Sequence, residues 1–321
     1  MKQRRKMRRK KSSFKWGRFL VFLILLGLFV AGIIWGSLRV YQRFTATPIS
    51  RPRDEVTANI SSSRGNSTND SDVMYVLLVG LDGHEPVEAN LITLAVVNVT
   101  DKRIDFISIP DNTKILNRDG KTPEMLSSFY SKGGISLVKA VVEDIVHVPI
   151  PYYVVVTPQA FEQTVDIYGK IDMYVEKKME HYDENGIGDI NLWQGYQSLD
   201  GKQALGYMRY IDKEANIARV QREQRFIKIF CASLDDHVTL GKLYDTFRVW
   251  KLMDSNISTY DAVKLAFKLR STSQDNIRPY ILPGMASQVG DTLYWNIDPV
   301  ETQKIVGNSL NALALEDKKG E

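Results

Sequence analysis

The hydrophobic and polar positions divide this 321-residue chain into three regimes. Phe19 to Leu38 is twenty residues without a charge, and a helix of that length rises about 30 Å, the depth of a bilayer's hydrocarbon core. Thr45 to Asp72 is rich in Ser, Thr, Asn and Pro, which predicts an extended linker over residues 39–72. From Val73 onward, short apolar runs alternate with turns. Val73–Gly80, Leu91–Val99 and Arg103–Pro110 read as strands, the first two continuous enough to be buried on both faces. Val138, Val141, Val142 and Ile145 recur at helical spacing between Gly134 and Pro149.

Pro151–Val156 then returns to strand, Pro158–Ile167 to helix and Gly169–Glu176 to strand, and His181–Gln197 reads as a turn-rich stretch. Further helices are predicted at Asp200–Tyr210, Ala215–Leu234, Leu240–Met253, Thr259–Leu269 and Pro299–Leu313, with a late strand, Ile277–Leu282, placed to join the central sheet. Strands interleaved with helices predict an α/β domain with a mixed central sheet. The chain thus divides into a basic tail (1–18), a transmembrane helix (19–38), a linker (39–72) and one domain (73–315). That domain has a motif core at 73–235 and a C-terminal extension at 236–315.

Charge orients this plan. Ten Lys and Arg residues precede Phe19, so the excess of positive charge predicts a cytoplasmic N-terminus and an extracytoplasmic domain on a single-pass anchor. Trp35, Arg39, Tyr41 and Arg43 follow the apolar run, where a cleaved signal peptide would carry small residues. Residues 1–43 hold twelve of the 42 basic residues and none of the 38 acidic ones, leaving the remainder near −8. An acidic exported domain excludes general nucleic-acid binding. With Cys231 as the single cysteine, no internal disulfide is possible, and Cys231 reads as a core residue. The four His residues show no metal-ligand or triad spacing.

Two places carry candidate chemistry. Asp82 follows Gly80 at the end of the first buried strand, where α/β sheets place ligand-binding groups. Arg219, Arg222 and Glu223 share one face of the long helix, and Arg209 ends the helix before it. Guanidinium forks match phosphate oxygens bidentately, so three arginines and an aspartate around a crevice suit a phosphate or pyrophosphate; a solvated basic face is the alternative.

Several short blocks follow one another: Leu77 to Asp82 (LLVGLD), Ser108-Ile109-Pro110, Gly133-Gly134, Val148 to Val156 (VPIPYYVVV), Val165-Asp166, Leu199 to Leu205 leading to Tyr207-Met208-Arg209, and Ala218 to Arg222 (ARVQR). Their order resembles the LytR-CpsA-Psr family. They cover roughly residues 73–235 behind a membrane span. The resemblance implies a bacterial, extracytoplasmic, single-pass protein of cell-wall biogenesis. It also implies a three-layer α/β/α sandwich with a deep apolar pocket for a lipid tail. Such proteins transfer glycopolymers from polyprenyl pyrophosphate carriers to peptidoglycan. On that likeness Asp82 would hold magnesium with the position of Asn90, and Arg209, Arg219 and Arg222 would hold the pyrophosphate.

The departures are also specific. Glu88 and Asp111 stand where the family has Arg, Asn90 where it has Asp, Ile211 where it has a second Arg, Asn216 where it has Asp, and Glu223 where it has Gln. Replacing positive by negative groups near a pyrophosphate turns attraction into repulsion, which predicts impaired catalysis. Three functions follow: a transferase of the family type, a catalytically dead pseudoenzyme that binds the lipid carrier or acts as a scaffold, and a membrane-bound transcription regulator. The last rests only on the short basic tail.

Overall fold

The computed structural model describes residues 73–316, apart from 117–119, 121, 183–185, 187, 212–215, 234–239 and 270–271. The basic tail, the expected transmembrane helix at 19–38 and the linker lie outside the described residues. Among the described residues no helix is long and apolar enough to cross a membrane.

Strand β1 (Val73–Leu81), β2 (Ala89–Asn98) and β3 (Arg103–Ser108) form an antiparallel meander. A short hairpin, β4 (Lys114–Leu116) and β5 (Pro123–Met125), leads to helix α1 (Phe129–Val146). Strand β6 (Tyr152–Val156) returns parallel to β1, and α2 (Pro158–Tyr168) follows. Next come β7 (Ile171–Val175), β8 (Met179–Tyr182), β9 (Gly188–Leu192), β10 (Gly195–Leu199), α3 (Gly201–Arg209) and α4 (Asn216–Ser233). The chain closes with α5 (Leu240–Trp250), β11 (Asp254–Ser255), α6 (Thr259–Leu269), β12 (Ile277–Ile281), the hairpin β13 (Gly284–Val289) and β14 (Thr292–Ile297), and α7 (Pro299–Glu316).

The central sheet runs in the order β11-β6-β1-β2-β3-β12 and is mixed. Its predicted late strand is present: β12 lies parallel to β3, with Ile277 opposite Ile104. Because side chains alternate along a strand, β1 and β2 feed two separate cores. Leu77, Val79, Ile92 and Leu94 meet Val138, Val142 and Val146 of α1 on one face. Met74, Val76, Ala95 and Val97 meet Ile257 and Ala262 on the other, with Ile227 and Cys231 of α4 packed against them. Helices therefore cover both faces, which explains why these strands read as continuous apolar runs.

The expected helix between Gly134 and Pro149 is present; a Gly133-Gly134 kink, with Gly134 at φ 61°, a conformation that costs glycine little, joins it to a short helical segment that starts at Phe129. Strand β7 pairs with β10, outside the central sheet. One expectation is corrected. The stretch expected as turns, His181–Gln197, holds β9 and parts of β8 and β10. Its half-exposed polar side chains hide the alternation on which sequence reading depends.

Helix α3 is fixed at its N-terminus. Asp200 caps it, accepting from the Gln203 N–H at 3.0 Å while the Gln203 side chain accepts from the Asp200 N–H. The Gly201 N–H donates to Asp166 Oδ1 of α2 at 2.8 Å. This seats the α3 C-terminus, and Arg209 with it, beside the end of β1.

Candidate functional site

The loop after β1 is closed by its own aspartate. Asp82 Oδ1 accepts from the backbone N–H of Glu88 at 3.0 Å and of His84 at 3.3 Å, and the Asp82 N–H donates to the Glu88 carbonyl. Arg209 reaches over from α3, donating to the Asp82 carbonyl oxygen and standing 3.1 Å from His84 Nε2. Asp82, Glu88, Asn90, Asp111, Arg209 and Arg219 all line one polar crevice of about 570 Å³. Four of the five residues singled out from the sequence, Asp82, Asn90, Arg209 and Arg219, are thus brought together.

Arg222 is not with them. Three residues along a helix leave Arg222 about 60° around α4 from Arg219, and its side chain finds different partners. It donates to the Tyr210 carbonyl oxygen and lies 3.8 Å from Glu176 Oε1, only 2% exposed. Glu176 also accepts from Tyr207 Oη at 3.0 Å, and burial with this carboxylate pushes the Tyr207 hydroxyl up to about 12. Arg222, expected at the pyrophosphate, here ties α4 to the end of α3. The side chain of Asn216 lies outside the described residues.

Arg219 Nη2 is 2.5 Å from Asp111 Oδ1, and Arg219 Nε is 3.6 Å from Glu223 Oε1. Burial alone would lower the Arg219 pKa, but the carboxylates, Asp111 first, outweigh it and hold it above its ordinary value. Glu223 behaves differently. Burial pushes its carboxyl up to about 8 against the pull of Arg219, so near neutrality Asp111 is the partner that balances Arg219. A carboxyl that keeps its proton in the fold contributes stability that is complete below pH 4.5 and lost as pH rises toward about 8. Glu223→Gln, an uncharged isostere, is expected to flatten that dependence and raise stability at the alkaline end by on the order of 2–4 kcal/mol. Thermal unfolding across that pH range reads this directly; parallel curves for the two proteins would refute it.

A second cavity, about 270 Å³, lies under the crevice and is lined almost wholly by apolar groups, among them Leu78, Phe106, Phe161, Phe226, Ile227 and Cys231. Cys231, expected in the core, borders this space, and burial pushes its thiol up to about 12, which keeps it unreactive. The two cavities share Asn90, Leu205 and Arg209. An apolar tunnel that opens beside a guanidinium suits an amphiphile with an anionic head.

The donor set around Asp82 and Asn90 does not fit magnesium. Asp82 Oδ1 already accepts two backbone N–H groups, Asp111 is paired with Arg219, and Glu88 accepts from Ser127 Oγ at 2.8 Å. Among the described residues no three His, Cys, Asp or Glu side chains converge where they could hold a cation, and Asn90 brings no charge, which hard cations favour.

The crevice also holds a pair that sequence reading missed. His181 Nδ1 lies 2.6 Å from Asp189 Oδ1, and both line the crevice. The two are eight residues apart across a hairpin, and the cue in the sequence is Asn185-Gly186 between them, a dipeptide that favours tight hairpin turns.

Comparison with known proteins follows from this geometry. The model of the LytR_cpsA_psr family matches residues 40–310. The polyisoprenyl-teichoic acid--peptidoglycan teichoic acid transferase TagU of Bacillus subtilis (strain 168) is 24% identical over 301 residues, covering 91% of this chain and 94% of TagU. Among solved structures, Bacillus subtilis TagV gives a TM-score of 0.65 at 19% identity, covering 75% of this chain and 98% of TagV. TagT bound to LIIa-WTA gives 0.62 at 20% identity, covering 79% and 96%. The structural likenesses establish a shared mixed α/β fold.

Proposed function

The chain belongs to the LytR_cpsA_psr family, and on that premise we propose that it holds a polyprenyl pyrophosphate-linked glycan and transfers the glycan to peptidoglycan at a reduced rate. Behind a single-pass anchor with its N-terminus in the cytoplasm, the sheet and its two helix layers would form an extracytoplasmic α/β/α sandwich. The prenyl chain enters the apolar cavity, and the pyrophosphate rests at the mouth against Arg209. The observation that carries this reading is the junction of the two cavities at Asn90, Leu205 and Arg209. Relatives named as teichoic acid transferases support the reaction class.

In this reading an acceptor hydroxyl attacks the phosphorus that bears the glycan, and polyprenyl phosphate leaves. Arg209 stabilises charge on the phosphoryl oxygens, because fixed cations in a partly dry crevice oppose the charge that spreads over them. Arg219 adds less, since Asp111 already neutralises it. Ile211, 62% exposed at the crevice edge, supplies no charge. The weakened clamp is the reason for a reduced rate. A second reading, a lipid-carrier-binding pseudoenzyme, is favoured by the same Arg219–Asp111 pair. Nothing among the described residues adds to the regulator reading.

Native mass spectrometry of the full-length chain in detergent, incubated with a polyprenyl pyrophosphate-linked glycan and a peptidoglycan fragment, with and without magnesium, separates them. Polyprenyl phosphate release supports transfer; a stable complex without turnover supports the pseudoenzyme; absence of binding sinks both. Cys231 lies about 12 Å further along α4 than Glu223, so Cys231→Phe is expected to lower affinity for long prenyl chains more than for short ones. Equal losses would place the chain elsewhere.

A further inference from the structure

His181 and Asp189 stand on β8 and β9, antiparallel strands paired Met179 to Leu192 and Glu180 to Asn191. His181 is opposite Ile190, and Tyr182 is opposite Gly188, so Asp189 is the extra residue of a β-bulge. In an unbroken strand Asp189 would point away from the face that Ile190 and His181 share. A bulge re-aims a side chain, and here it turns the carboxylate onto His181 Nδ1 at 2.6 Å. Both side chains are about half exposed and border the crevice that contains Arg209 and Arg219. With Nδ1 held by a carboxylate, the N–H sits on that nitrogen and Nε2 is left as a proton acceptor.

We propose that His181 is the general base of the transfer reaction and Asp189 its positioning residue, an assignment that rests on the transferase reading above. The acceptor O–H proton passes to His181 Nε2. The freed oxygen pair forms the new P–O bond to the glycan-bearing phosphorus, and the P–O bond to polyprenyl phosphate breaks with its electron pair on the leaving oxygen. The imidazolium then returns its proton to that leaving group or to water. No further reactant is needed.

Other charged groups face the same space. On the sheet side these are Asp82, His84, Glu88 and Asp111. On the helices they are Glu162 of α2, Lys202 and Arg209 of α3, and Arg219 of α4. A pH profile therefore needs a control for the other imidazole, His84.

The test is single-turnover release of polyprenyl phosphate by the full-length chain in detergent, with a polyprenyl pyrophosphate-linked disaccharide and a soluble peptidoglycan fragment, across pH. His181→Gln is expected to lower kcat about 10²-fold or more, to leave binding of the lipid pyrophosphate within about twofold of wild type, and to abolish the acid limb of the profile. His181→Ala should recover rate when free imidazole is added. Asp189→Asn should lower the single-turnover rate while leaving lipid binding near wild type, whereas His84→Gln should keep the acid limb in place. An unchanged rate and acid limb in His181→Gln would overturn the assignment while leaving the transferase reading standing. A wild-type protein that binds the lipid and releases no polyprenyl phosphate would overturn that reading, and the base with it.

Discussion

Gly201→Ala is expected to cost about 3 kcal/mol or more, at the top of the range for overpacking. A Cβ at position 201 would sit 2.2 Å from the Glu162 carbonyl oxygen, 2.7 Å from its carbon and 2.8 Å from its Cα. All three are backbone atoms inside α2, already committed to helical hydrogen bonds, so no side chain can rotate away. The helices must separate instead. Separation would break the 2.8 Å bond from Gly201 to Asp166 and withdraw Arg209 from the mouth of the apolar cavity. Lipid pyrophosphate binding should fall together with stability. Gly206→Ala is the control, because its Cβ would meet the Ile190 side chain at 3.4 Å, an ordinary contact with a group that can shift. Urea unfolding of both variants decides the matter, and equal midpoints would show that α2 and α3 are less tightly docked than the structure has them.

Arg209→Ala is expected to weaken binding of polyprenyl pyrophosphate by about 10²-fold, since hydrogen bonds from a charged donor contribute about 1.5–3 kcal/mol each. Arg209 is the guanidinium at the junction of the two cavities, and its partners among the described residues are a carbonyl oxygen and an imidazole rather than a carboxylate. Its charge is therefore available to a ligand. Arg222→Ala makes the contrast: it should lower stability, by removing a buried guanidinium that donates to the Tyr210 carbonyl and faces Glu176, yet change lipid pyrophosphate affinity little. Arg209→Lys should recover part of the loss, because an ammonium keeps the charge without the fork. Isothermal titration of the three variants gives the answer, and equal losses from Arg209→Ala and Arg222→Ala would put the pyrophosphate between the two arginines rather than at the crevice mouth.

The family blocks have legible physical roles. Asp166, Asp200 and Gly201 are one device, a capped helix pressed against its neighbour so that its last residue lands at the crevice. Ser108 ends β3 where Gln224 of α4 donates to its hydroxyl at 3.0 Å and to the Tyr280 carbonyl at 2.6 Å, which ties the arginine-bearing helix to the sheet. The departures are legible too, since Glu88 and Asp111 do enter the crevice. Less legible was what they do there. Asp111 does not merely repel an anion; it occupies Arg219.

By itself the sequence determined five of the six strands of the central sheet, all but β11, since apolar runs such as Val73–Gly80 have no stable place except between two layers, and it determined the helices whose apolar stripe repeats at 3.6 residues. It also pointed to Asp82, Glu88, Asp111, Arg209 and Arg219 among the charges that line the crevice. Only the tertiary structure decided which of those charges remain free. Arg209, Arg219 and Arg222 are chemically identical; Arg209 ends α3, and Arg219 and Arg222 lie within one turn of each other on α4. Their availability depends on partners from elsewhere in the chain: Asp82 and His84 for Arg209, Asp111 for Arg219, Glu176 for Arg222. The His181–Asp189 pair depends in the same way on one extra residue in a hairpin, a matter of register that no local pattern of polar residues specifies.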